Sequence, residues 1–235
     1  MTNSVLLNNV DHKDLRVITA RGARYGDAVM TAVTFPGEFR SVQAHYPIVF
    51  HKTGEGQFQP LALLGFQQGQ NVFLNASGWD ATYVPLLIER QPFLIGAGHG
   101  QLVIHVDLDH PRVSRKEGER LFREHGGPTE FLERMNSVLL TIHQGLEQTP
   151  PFIRALLEHE LLESFVFDVQ LRDASQHRLA GFYTIHEERL GRLGGGALEG
   201  LSKAGHLQAA YMAIASLSNF RTLIERQNRL HGADR

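Results

Sequence analysis

Cysteine is absent from the 235 residues, which excludes disulfides, thiolate zinc sites, cysteine-ligated iron–sulfur clusters and a cysteine nucleophile. An excess of charge of either sign is also missing. Lys and Arg number 23 against 25 Asp and Glu, a formal net charge of -2, so no global field would draw the chain to nucleic acid or to an anionic membrane. Long apolar runs are lacking: the run at 93–95 meets Gly96, and Glu163, Asp168 and Gln170 interrupt residues 161–171. No segment is long enough to span a bilayer, and the first 18 residues lack the basic and apolar regions of a secretory signal. The expected location is cytoplasmic. Repeats, a G-x-S-x-G nucleophile motif and the strand–lysine–helix context of a phosphate loop are missing as well.

What is present is an ordinary globular composition, 42% hydrophobic and 20% charged, with a single tryptophan. The pattern predicts an α+β protein with a mostly antiparallel N-terminal sheet, a central group of helices, a further hairpin and a long C-terminal helix. It reads as one domain over residues 1–235, with a possible subdivision into a β-rich part (1–112) and a mainly helical part (113–235). Residues 15–20, 29–35 and 44–51 are short, rich in β-branched and aromatic residues, and separated by glycine-bearing breaks. Pro47 cannot donate to a ladder, so its strand lies at an edge or begins after it. Residues 58–66 read as a buried strand, and a turn at 67–70 leads to a strand resuming at 71–74.

Pro85 suits the first turn of a short helix, and strands at 93–97 and 102–107 flank a glycine-rich turn. On the second of these strands His105, Asp107 and Asp109 share one face. Three helices are expected between 114 and 163. Ser114 with Glu117 resembles a capping box for the first, Thr129 caps the second, and Thr149 followed by Pro150 starts the third. Leu146 falls on the apolar stripe of the second helix, and Leu157 on a stripe wide enough that the third should be well buried. A hairpin follows at 165–171 and 179–185. Gly194–Gly196 then reads as a flexible joint, and a helix runs from 207 to about 230.

Several stretches together resemble the bacterial SapC-like family: HYPIVF (45–50), LALLGF (61–66), NVFLNASGWDATYVP (71–85), RQPFLI (90–95), VDLDHPRVSRKEGERLFREHG (106–126), LAGFYTIHEERLGRL (179–193) and GHLQAAYMAIASLSNFRTLIER (205–226). The resemblance covers nearly the whole chain in order, and none of its motifs is a catalytic signature. It implies a family named after surface-layer gene clusters, whose genes neighbour cupin-like hydroxylases, halogenase-like flavoproteins and outer-membrane receptors. A hydroxylase or flavoprotein of that kind is therefore the implied partner. A peptide-transporter permease shares the name, and the chain does not resemble it.

Two chemical readings compete on the residues. Tyr46, Trp79, Tyr83 and Arg90, with the polar end at Asp107, Asp109 and Arg112, would bind a protein, peptide or small aromatic ligand, because Tyr and Trp join an apolar body to a polar tip. Asp107, Asp109 and Arg112 read alternatively as a structural network at the turn 109–111. The second reading makes His105, Asp107 and a distal His177 a facial triad for Fe(II), with Arg189 for 2-oxoglutarate, as in an oxygenase. The helices expected at 114–163 oppose it, since an oxygenase barrel fills that interval with strands. A convergence of His45, His51, His99 and His105 on a metal is a further possibility by residue type. The expectation is an accessory or binding protein with no complete catalytic set and no cofactor; its oligomeric state is open, with a homodimer the commonest outcome by base rate. A surface-layer structural role is a third alternative, resting on the family name.

Overall fold

The computed structural model describes residues 3–98 and 101–233. In chain order the elements are β1 (Ser4–Leu6), β2 (Arg16–Val17), β3 (Thr31–Val33), α1 (Phe39–Val42), β4 (Ile48–Lys52), β5 (Phe58–Leu63), β6 (Leu74–Asn75), β7 (Gly78–Trp79), α2 (Leu86–Glu89), β8 (Phe93–Gly98) and β9 (Gln101–Asp107). There follow β10 (Val113–Ser114), β11 (Glu119–Arg120), α3 (Glu130–Glu158), β12 (Leu162–Gln170), β13 (Gln176–Ile185), α4 (Glu187–Gly191), α5 (Gly195–Lys203), α6 (His206–Ser216) and α7 (Asn219–Ala233). Helices mix with antiparallel sheets, as the pattern predicts for an α+β chain.

The chain divides into two compact units that interleave in sequence. The first comprises Met1–Ala28, Leu74–Trp79 and Leu86–Gln144; the second comprises Val29–Phe73, Asp80–Pro85 and Gly145–Arg235. In the first unit one sheet has the order β1-β9-β8 and a second the order β10-β2-β11. Val106 alternates inward from β9 to meet Leu15, Phe93, Leu121, Met135 and Leu139 in the core. In the second unit a five-stranded sheet has the order β12-β13-β4-β5-β3. The second half of α3 packs there through Phe152, whose ring meets Phe39 edge-on at 5.9 Å and Phe50 at 6.3 Å. α6 is tied to the sheet by the Ser216 hydroxyl, which accepts the Ile48 N–H at 2.8 Å.

Several local expectations are met for identifiable reasons. β4 begins directly after Pro47 and lies inside its sheet rather than at an edge. α2 follows Pro85, and Thr129 Oγ1 accepts the Leu132 N–H at 3.3 Å to cap α3. β12 and β13 form the expected hairpin, with a bulge between Phe165 and Phe167. The expected turn between β8 and β9 includes His99, which lies outside the described residues.

Other expectations are corrected. No helix forms at 114–126. Ser114 Oγ does accept the Lys116 and Glu117 N–H groups, each at 3.1 Å, so the local bonds of a cap are made. The chain then turns back at Gly118, whose φ of +98° is open to glycine, and β10 and β11 flank β2. The two helices expected over 129–163 are one, the 29-residue α3 with Pro150 and Pro151 inside it. Both prolines are exposed, on the side of the helix where a ring that donates no N–H is tolerated at least cost. Residues 71–73 form a turn instead of a strand, with Asn71 Oδ1 accepting the Phe73 N–H at 2.9 Å. Gly194 is an N-cap and Gly195 and Gly196 lie within α5, so these glycines begin a helix rather than a loose joint. The C-terminal helical stretch is divided by a tight turn at Leu217 and Ser218 into α6 and α7.

Candidate functional site

The residues singled out from sequence divide between the units. Tyr46 and Tyr83 belong to the second, and Trp79, Arg90, His105, Asp107, Asp109 and Arg112 to the first. Tyr46 is fully buried; its hydroxyl donates to the Tyr83 carbonyl, and its ring lies 4.7 Å from that of Phe73. The Tyr83 hydroxyl donates to Glu38 Oε1 at 2.9 Å, and Thr34 Oγ1 donates to Glu38 Oε2 at 2.7 Å. Burial, reinforced by Glu38, pushes the Tyr83 phenol well above its ordinary pKa. This arrangement anchors the segment 80–85 and commits the hydroxyl hydrogens of both tyrosines.

In the first unit Trp79 pairs with Leu74 across β6 and β7, and Arg90 donates to the Phe93 carbonyl at 2.5 Å. Asp107 accepts the Asn3 and Asp109 N–H groups at 3.1 and 3.2 Å, so it holds the turn after β9. His105 lies within 3.5 Å of the Ser4 hydroxyl. Arg112 turns to neither Asp107 nor Asp109. Its Nη2 donates to both oxygens of buried Asp27, at 2.8 and 2.7 Å, and its Nη1 donates to the Ile18 and Ala20 carbonyls at 2.9 and 2.7 Å. His177, the distal residue of the Fe(II) reading, belongs to the second unit, where its ring lies 5.7 Å from Phe66. Among the described residues no group of three or more His, Asp or Glu is placed to hold a metal ion.

The Arg112–Asp27 pair opens a longer network. Arg21 reaches Asp27 at 3.5 Å and also pairs with Glu89, whose other oxygen lies 3.2 Å from Arg134. The ladder Arg112, Asp27, Arg21, Glu89, Arg134 alternates in sign, and all its members but Asp27 border a cavity of about 150 Å³ that Gln91 and Thr19 also line. Arg112 Nε and Gln91 Oε1 are buried without a hydrogen-bond partner. Each such atom costs roughly 1–3 kcal/mol. Burial pulls the Arg112 guanidinium below its ordinary pKa, and Asp27 opposes that shift.

Burial also lowers the pKa of His45, His110 and His206, with Arg226 adding to the effect at His45 and Arg112 at His110. A folded-state pKa below the unfolded value of about 6.5 means that the unfolded chain binds more protons between the two. The associated stability is complete above about 6.5 and is lost as pH falls through the folded-state values. Thermal melts between pH 7 and 5 should therefore show a shallower decline for His110→Asn than for the unaltered chain. Parallel curves would remove His110 from this account.

The second unit holds a different feature, an apolar groove of about 590 Å³. One wall is the outer face of α3, with Leu146, Ile153 and Leu157; the other is Val33 of β3 and Phe58 of β5, with Gln57 and Gln59 at the edge. Leu146 and Leu157 remain 39% and 48% exposed, where the apolar stripe predicted burial. The stripe on α3 is wider than the face its core requires, and Leu146 and Leu157 of that surplus line the groove. That surplus was the available sequence signal. Asp27, by contrast, gave none, since nothing local marks it as the partner of a residue 85 positions away.

The chain is thus an α+β protein with an open apolar groove, and no helix among its described residues is long and apolar enough to cross a membrane. It belongs to the SapC family, whose model matches residues 7–223. No curated protein matches it. No solved structure does either.

Proposed function

We propose that the chain is a binding protein for a peptide segment carrying an apolar or aromatic anchor, which seats in the groove between α3 and the β3–β5 edge of the sheet. The observation that carries this reading is the pair of leucines, Leu146 and Leu157, left 39% and 48% exposed on the wall that α3 gives to the groove. A volume of about 590 Å³ lies within the roughly 300–1,000 Å³ usual for ligand pockets. Its lining suits a peptide better than a small apolar molecule, because Gln57, Gln59 and Thr53 at the rim offer side-chain groups to a main chain while Phe58, Ile153 and Leu157 take its side chain. Among the described residues Arg154 is the sole charged one of the lining, so an acidic residue beside the anchor is favoured. The reading involves no cofactor and no chemistry by the chain itself.

Selection of a displayed random-peptide library on the full chain tests it. Enrichment of sequences with an aromatic or large aliphatic residue next to Asp or Glu is expected, with loss of capture by Leu157→Glu. A selection that yields no consensus, or one indifferent to that substitution, contradicts the proposal.

A further inference from the structure

β12 is an end strand of its sheet, and the order β12-β13-β4-β5-β3 leaves its outer edge without a neighbouring strand. The His186 N–H donates to the Leu161 carbonyl and the Leu171 N–H to the Ser175 carbonyl, each at 2.9 Å. Those bonds at the two ends, with the register between them, turn the backbone of the odd-numbered residues toward β13. The N–H and C=O groups of Leu162, Ser164, Val166, Asp168 and Gln170 therefore face outward, and no hydrogen bond among the described residues reaches them. The register shift between Phe165 and Phe167 leaves β12 itself regular, because the additional residue falls on β13, where Gly181 takes a φ of +82°. Open edges are ordinarily blunted by proline, lysine or a bulge, and the nine residues of β12 contain none of these.

We propose that β12 pairs antiparallel with the β12 of a second copy of this chain, about a two-fold axis through Val166. β12 runs from Leu162 to Gln170, so Val166 is its midpoint and this register engages the whole strand. Every outward residue then meets an outward residue: Val166 faces its own counterpart, Ser164 faces Asp168, and Leu162 faces Gln170. The side chains suit the same register. The Ser164 hydroxyl is placed to donate to the second copy's Asp168 carboxylate, and half-exposed Val166 gains an apolar neighbour. On the opposite face Phe165 meets Phe167 of the second copy, and both rings are already held against Phe220 of α7. Neither carboxylate meets its like, since Glu163 stands opposite Val169, and Asp168 lies 3.7 Å from Arg178 of its own copy. Moving the axis to Phe165 or Phe167 shortens the pairing and takes Ser164 away from Asp168. A two-fold contact uses the same edge on both copies, so it closes at a dimer.

Sedimentation velocity of the full chain, from low micromolar to near-millimolar concentration, should show a reversible monomer–dimer equilibrium. Val166→Lys sets two ammonium groups against each other at the axis and should raise the dimer Kd at least tenfold. Melting of the dilute monomer should stay unchanged, because the Val166 side chain is 51% exposed. Cysteine substitution reads the register independently, since the chain has no cysteine of its own. The Cα atoms of a hydrogen-bonded antiparallel pair lie about 5.5 Å apart, within reach of a disulfide, so Val166→Cys should give a covalent dimer on mild oxidation. Ser164→Cys should not, because its counterpart lies four positions away along the second strand, about 13 Å. A chain that stays monomeric throughout would leave the edge to an extended segment of another protein and overturns the proposal. So does a dimer indifferent to Val166→Lys, or cross-linking of Ser164→Cys as readily as of Val166→Cys.

Discussion

Asp27→Ala should destabilise the protein by about 3–5 kcal/mol, the range for removing one partner of a buried ion pair. Asp27 is fully buried, accepts from Arg112 through both oxygens, and also accepts the Gly22 N–H at 2.8 Å. Without it the Arg112 guanidinium keeps its charge and its carbonyl contacts in a place that water does not reach. For a chain of this size the loss corresponds to a fall in Tm on the order of 10 °C. Arg112→Met in the Asp27→Ala background should recover part of that loss, because it removes the stranded charge. Recovery stays incomplete, since the Ile18 and Ala20 carbonyls lose their donor. Thermal melts of the two single variants and the double variant check this, and additive losses would show that the pair is not coupled.

Gly145→Ala should also destabilise, against the expectation from helix propensity, which favours Ala over Gly by about 1 kcal/mol in a helix interior. Gly145 lies within α3, and a Cβ there would fall 2.1 Å from Cδ2 and 2.3 Å from Cε2 of Phe35, a ring that is itself buried. The ring cannot retreat into solvent, so the strain is that of an overpacked core, about 1–3 kcal/mol net of the propensity gain. Pairing Gly145→Ala with Phe35→Leu should give a smaller loss than the sum of the two single changes. Urea unfolding of the four proteins measures the coupling, and a stabilised Gly145→Ala would refute the close approach.

Those two positions mark the limit of what the amino-acid pattern discloses. The hairpins of β8 with β9 and of β12 with β13 are legible because alternation with a period of two is local, and so are α2 after Pro85 and the Thr129 cap. The stretch after Ser114 misleads because a capping hydrogen bond needs only three residues. Whether a helix follows depends on pairing with β2, about a hundred positions earlier. Pro150 misleads in the opposite sense: it suits a helix start, yet α3 carries it on an exposed face where the lost hydrogen bond costs less. Of the proposed contact residues, Tyr46 and Arg112 are of the right chemical type for a site and are engaged in the interior instead. The groove was partly visible as surplus leucine on α3, and its second wall was not, because β3 and β5 come from a distant part of the chain.

The peptide-binding reading is tested most directly by the affinity of one selected peptide for the unaltered chain and for Leu157→Glu. Leu157 is half-exposed on α3, and glutamate is a good helix former, so the fold should tolerate the change while the groove acquires a charge. Loss of one apolar contact of about 1.5–3 kcal/mol predicts at least a tenfold rise in Kd. An unchanged Kd with an unchanged Tm would place the peptide elsewhere and contradict the account.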